Sequence, residues 1–216
     1  MTHLHHDYID RPPLESPDDM PDLAALLTSR ICHDLISPLG AIGNGVELMA
    51  MASPADGPEL TLIAESVTIA HARIRLFRSA FGPAAPGQMI ARDDIQSLLA
   101  DYGRITRHWT EFEVADDLPR ADVKLLLLML MCLETALPWG GAVHVTPTPT
   151  GYTLLAEADR IQFDAMQWSI LTGAAFSGNQ RPATVHFLLG AVELRRQARE
   201  LHIHTSAQTV TLRLTS

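Results

Sequence analysis

Residues 30–45 read RICHDLISPLGAIGNG, and the spacing within this stretch decides both the local structure and where chemistry can occur. On a helix of 3.6 residues per turn, Ile31, Leu35 and Ile42 share one face and His33 points roughly opposite. The residues on the face of His33 over the next three turns are Ser37, Gly40, Ala41 and Asn44, all of them small. An imidazole beside small side chains lets another protein come close. Gly40, Gly43 and Gly45 each cost a helix about 1 kcal/mol relative to alanine, so helix stability did not select them. Pro38 removes the backbone bond to residue 34 and predicts a bend one turn beyond His33.

Outward from this stretch, the helical pattern runs from Pro21 to about Met51, with Leu23, Leu27, Ile31, Leu35, Pro38, Ile42, Val46 and Met49 as its apolar stripe. SPADGP then makes a turn. Pro58 opens a second helix in which Leu60, Ile63, Val67, Ala70, Ile74, Phe77 and Phe81 alternate spacings of three and four, the pattern of bundle packing. It stops at Gly82-Pro83. Residues 21–82 therefore predict an antiparallel hairpin, and one hairpin cannot cover both its stripes, so a homodimeric four-helix bundle is expected. With its turn near residue 55, the level of His33 meets about residue 77. That places Arg75 and Arg78 within reach of His33, with Ala64 to His71 lining a docking groove.

Residues 1–20 lack periodicity and predict a disordered tail; its His3, His5 and His6 have no fixed geometry for a metal. Residues 83–90 are a linker by composition. From 91 to 216 the chain alternates: helices near 91–102, 121–137, 164–172 and 184–200, a strand near 111–115, and paired strands in GGAVHV with GYTLLAEA and in LHIHTS with TVTLRL. This is an α/β layer, one sheet covered by helices, so the fold class is α+β. His71, His108, His144 and His186 are dispersed without ligand spacing, and His202 with His204 reads as a solvent-facing pair on an edge strand.

The chain has 216 residues, 47% of them hydrophobic, and a formal charge of −9. It can bury a core, and its charge argues against nucleic acid or an anionic membrane as the partner. Two cysteines inside apolar stretches and no 18-residue apolar segment predict a soluble, cytoplasmic protein.

His33, Asp34 and Pro38 resemble the H-box of sensor histidine kinases, where a phosphoaccepting histidine is followed at once by an acid and five residues on by a proline. The resemblance implies His33 as phosphoacceptor and Asp34 as the acid/base on the other ring nitrogen. Ser37, Pro38, Gly40, Ala41 and Asn44 become the docking face, and Arg75 and Arg78 become candidates for holding the phosphoryl group.

In such kinases the following domain binds ATP through an asparagine on an apolar helix, a DxGxG turn and a glycine-rich lid. Here LLLLMLMCLETALPWGG carries Cys132 in the asparagine position and Thr135 in a lysine position. The turn reads Asp159-Arg160-Ile161-Gln162-Phe163, and the lid helix keeps only Gly190. Bulky apolar side chains neither ligand Mg²⁺ nor admit phosphate.

An acceptor retained beside a degenerate ATPase-like domain resembles the ChpT-type histidine phosphotransferases of alphaproteobacteria. The resemblance implies relay of a phosphoryl group between the receiver domains of a hybrid kinase and of response regulators, with no ATP. It implies no cofactor of the chain's own, Mg²⁺ coming from the receiver. Two alternatives stand beside it: a non-catalytic dimeric scaffold or kinase inhibitor, and an active ATP-dependent kinase.

Overall fold

The computed structural model describes residues 22–51, 58–106, 108–112, 115–174 and 181–216. The expected tail, with His3, His5 and His6, lies outside the described residues. Helix α1, Leu23–Met51, starts where Asp22 accepts the backbone N–H of Ala25 at 3.0 Å, an N-cap that satisfies one of the free donors of the first turn. Helix α2, Pro58–Phe81, opens on a proline, whose missing N–H is not needed there. The two pack as the expected hairpin, with α1 continuing through Pro38. Gly45 is what lets them close: a β-carbon there would sit 2.6 Å from Cγ1 of Ile63.

The periodic seam of α2 is divided. Ala70 and Phe77 are buried and Ile63 half-buried, whereas Leu60, Val67 and Ile74 in the neighbouring column are exposed. On α1, Ile36, Leu39 and Val46 are 68%, 58% and 54% exposed. The inferred α1 stripe therefore holds from Leu23 to Ile42, but Val46 and Met49 leave it. Beyond the reach of the second domain they have only α2 to pack against.

The α/β part begins at strand β1, Met89–Ile90, which pairs antiparallel with β3, Leu118–Pro119. This two-residue ladder is too short to leave a pattern in the sequence. Between them lie α3, Arg92–Ile105, and β2, His108–Phe112, so the strand expected at 111–115 begins three residues earlier. Helix α4 spans Arg120–Ala136, followed by β4, Gly141–Thr148, and β5, Gly151–Glu157. Helix α5, Ala165–Ser169, runs into a 3₁₀ turn at Ile170–Thr172; a second turn, Pro182–Thr184, leads into α6, Val185–Arg196. Strands β6, Glu200–Thr205, and β7, Thr209–Thr215, close the chain.

The main sheet has the order β2-β4-β5-β7-β6, with β2 parallel to β4 and the remaining pairs antiparallel. Alternation with period two puts Val143, Val145, Leu154, Ala156, Val210 and Leu212 on the buried face. Helices α4 and α6 pack together over that face. His202 and His204 point to solvent from β6, the edge strand.

Helix α4 is apolar all round because it lies between the sheet and other helices, including α2. Trp168 anchors the far side, stacked on Phe163 at 5.2 Å and meeting Phe187 edge-on at 5.3 Å. Gly190 on α6 is a packing position, since a β-carbon would come within 2.8 Å of Met129 Cε and 2.9 Å of Leu171 Cδ2.

Candidate phosphoacceptor site

His33 stands on the exposed face of α1 with its side chain 86% accessible, and Asp34 beside it turns inward with only 8%. The helical angle of 100° between neighbours produces this split. Nδ1 of His33 lies 3.1 Å from Oδ1 of Asp34. The other carboxylate oxygen, Oδ2, accepts from Nε of Arg30 at 2.8 Å and pairs with Nη1 of Arg73 at 3.2 Å. Against a carboxylate oxygen, which only accepts, Nδ1 carries the imidazole proton and Nε2 keeps its lone pair, the ring nitrogen suited to act as a nucleophile.

Of the residues expected to form a docking face, Ser37, Gly40 and Asn44 are exposed and Ala41 is half-buried, while Pro38 is turned into the hairpin and buried. Neither Gly40 nor Gly43 has any atom within 4 Å of a β-carbon position, so this surface is open space. Pro38 is thus a packing residue under the face.

The two arginines inferred for the phosphoryl group are elsewhere. Arg75 points toward α3, where it bonds Asp101 and reaches Ser97 Oγ at 3.3 Å. Arg78 is exposed and does not line the cleft at His33; its carbonyl accepts from Arg120 Nη2 at 3.0 Å. Gly45 lies against Ile63 and Asp34 pairs with Arg73, a register about two residues earlier on α2 than expected. The level of His33 is reached roughly half a turn earlier than residue 77, and the inward face there belongs to Arg73.

Behind Asp34 a cleft of about 580 Å³ separates the hairpin from the α/β domain. Tyr102 on α3 donates to Glu134 Oε2 on α4 at 3.1 Å inside it. Burial pushes the Glu134 carboxyl above its ordinary range and the Tyr102 hydroxyl well above its own. Arg30 spans the boundary: besides Asp34, its Nη1 donates to the carbonyl of Ala183 at 2.7 Å, in the turn before α6. Arg181 lines the cleft from the same segment.

The segments aligned with a nucleotide site are packed. Cys132 is fully buried and its thiol is pushed well up by that burial. Thr135 Oγ1 donates back to the Cys132 carbonyl at 2.7 Å, and Ile161 and Phe163 pack on the core. Among the described residues no group of three or more His, Cys, Asp or Glu side chains could hold a metal ion, and no helix is long and apolar enough to cross a membrane.

The chain thus joins a helical hairpin, bearing an accessible imidazole over a buried carboxylate, to an α/β domain. The chain belongs to the histidine phosphotransferase family, whose C-terminal domain model matches residues 92–209. It is similar to the protein phosphotransferase ChpT of Brucella abortus (strain 2308), 44% identical over 126 residues that span 57% of this chain and 60% of that protein. A solved structure of a bacterial phosphotransferase, 32% identical, superposes with a TM-score of 0.75 over 94% of this chain and 98% of its own.

Proposed function

We propose that the protein relays a phosphoryl group through His33 between receiver domains, as a homodimer and without ATP. The observation that carries this reading is the pairing of an accessible His33 with Asp34, whose buried carboxylate two arginines hold in place. The Nε2 lone pair attacks the phosphorus of a receiver's aspartyl phosphate, and the bond to the carboxylate oxygen breaks with its electron pair leaving on the aspartate. The ring keeps its Nδ1 proton and becomes cationic, with Asp34 balancing the new charge. The reverse sequence delivers the group to a second receiver, and the receiver supplies Mg²⁺. The small residues Ser37, Gly40, Ala41 and Asn44 give its loops room to approach.

The packed α/β core supports an ATP-independent reading: Cys132, Ile161 and Phe163 fill the space where a nucleotide's metal and phosphates would need oxygen ligands and open backbone. The exposed columns Ile36, Leu39 and Val46 on α1 and Leu60, Val67 and Ile74 on α2 support a second copy completing the bundle.

The test is incubation with a phosphorylated receiver. Wild type takes up label, His33→Ala takes up none while still binding the receiver, and Ala41→Arg binds the receiver at least tenfold more weakly with its fold unchanged. Label on His33→Ala contradicts the acceptor assignment. Isothermal titration with Mg-ATP gives no saturable heat up to about a millimolar; a dissociation constant below that contradicts the second half of the reading.

A further inference from the structure

Three arginines, Arg30, Arg73 and Arg181, share the cleft at His33. Two are committed. Arg30 and Arg73 both pair with Oδ2 of Asp34, and Arg30 also holds the Ala183 carbonyl. Arg181 is exposed, and among the described residues no carboxylate pairs with it. The carboxyl groups lining the same cleft are Asp34, already neutralised by two guanidinium groups, and Glu134, pushed by burial toward its protonated form. The cleft therefore holds a surplus of positive charge, and its free member comes from the α/β domain rather than from the hairpin.

The backbone of Arg181 is fixed where it stands. Its carbonyl accepts both the Thr184 backbone N–H and Thr184 Oγ1 at 3.0 Å, Pro182 locks the next residue, and Arg30 grips Ala183 from α1. Such a position holds a long cationic side chain at the cleft that His33 also lines, at little further cost in backbone entropy. A phosphoryl group on Nε2 brings about two negative charges next to the Asp34 carboxylate and needs a cation that Asp34 has not already taken. A guanidinium offers paired donors to two phosphoryl oxygens.

Resting on the acceptor reading of His33, we propose that Arg181 binds the phosphoryl group in transit and stabilises the transferring state, so that the degenerate domain completes the site on the hairpin. The experiment uses phosphoramidate as a small donor, which charges the full-length protein without any receiver docking. The His33 Nε2 lone pair forms the bond to phosphorus, the phosphorus–nitrogen bond of the donor breaks, and ammonia leaves with the electron pair. Phosphohistidine is followed by ³¹P NMR.

Arg181→Ala is expected to slow charging about tenfold to a hundredfold, the range for losing a charge-assisted hydrogen bond. Arg181→Lys is expected to recover part of the rate, and the thermal midpoint and the affinity for an unphosphorylated receiver stay at wild-type values in both. Arg181→Ala charged at the wild-type rate overturns the assignment while leaving the His33 reading intact. So does a loss confined to receiver affinity, which makes Arg181 a docking residue only. Wild type that takes no phosphoryl group on His33 overturns the acceptor reading and this assignment together.

Discussion

Helices α1 and α4 are both apolar, and they end in opposite states. Of the 17 residues of α4, 12 are buried. In α1, Ile36, Leu39 and Val46 remain open to solvent, as does the imidazole of His33. The difference lies in what each element has around it: α4 is enclosed by the sheet and by other helices, whereas α1 has α2 on one side and touches the second domain only near its start. One region is closed within the chain; the other leaves apolar columns and the small-residue face beside the candidate site open to solvent.

The largest effect that sharpens this contrast is in the filled domain. Trp168→Ala removes the ring between Phe163 and Phe187 and is expected to destabilise the fold by about 3–5 kcal/mol, whereas Leu39→Ala costs the hairpin well under 1 kcal/mol in the monomer. Urea unfolding of each variant, done at a concentration where the protein is monomeric, measures both. Equal losses would remove the contrast.

The open columns should respond instead through association. Val67→Asp with Ile74→Asp puts four carboxylates into a dimer bundle and is expected to weaken it at least a hundredfold, about 2.7 kcal/mol, while each folded hairpin survives. Light scattering across a concentration series reads the change. A wild-type protein that is monomeric at micromolar concentration would leave those columns without the occupant inferred for them.

A smaller effect separates the two regions by pH. Burial lowers His108 to about 4 and His186 to about 3, from an ordinary value near 6.5. Below about pH 6.5 the unfolded chain takes up protons that these native rings refuse, so stability falls as pH drops toward 4. The slope is on the order of 1 kcal/mol per pH unit for each ring, reduced by Glu134, whose raised carboxyl acts in the opposite sense. The thermal midpoint of wild type is expected to fall from pH 7 to 4.5, and His186→Leu flattens part of that fall. An unchanged slope in the variant would mean that His186 opens to solvent.

The hairpin and the sheet are legible in the sequence because their apolar periods, 3.6 and 2, are set by what each face packs against. The exposure of His33 and the small-residue face follow from the same helical geometry, whereas Asp34 is singled out only by the H-box resemblance. The partners of Asp34 are less legible. Arg30 stands four residues before it, a spacing from which an ion pair can be read. Arg73 depends on the rotational setting of α2, and a shift of about two residues in the register of α2 against α1 moves the inward face from one arginine to another. Tyr102, Glu134 and Arg181 meet the site from 69 to 148 positions beyond His33, distances at which no local pattern operates. Leu60, Val67 and Ile74 carry the periodicity of a packed seam, and only the three-dimensional arrangement separates the column covered by α1 from the one left open.

The central claim, that His33 passes a phosphoryl group from one receiver to another, is tested most directly by a two-receiver relay in one vessel. A first receiver is charged with label, freed of its kinase and of ATP, and mixed with the protein and a second receiver of different mass. The expected result is acid-labile label on this protein at His33 within seconds to minutes, followed by label on the second receiver, with neither appearing when His33→Ala replaces wild type. Label reaching the second receiver equally well with His33→Ala, or appearing on another residue of this chain, would contradict the account.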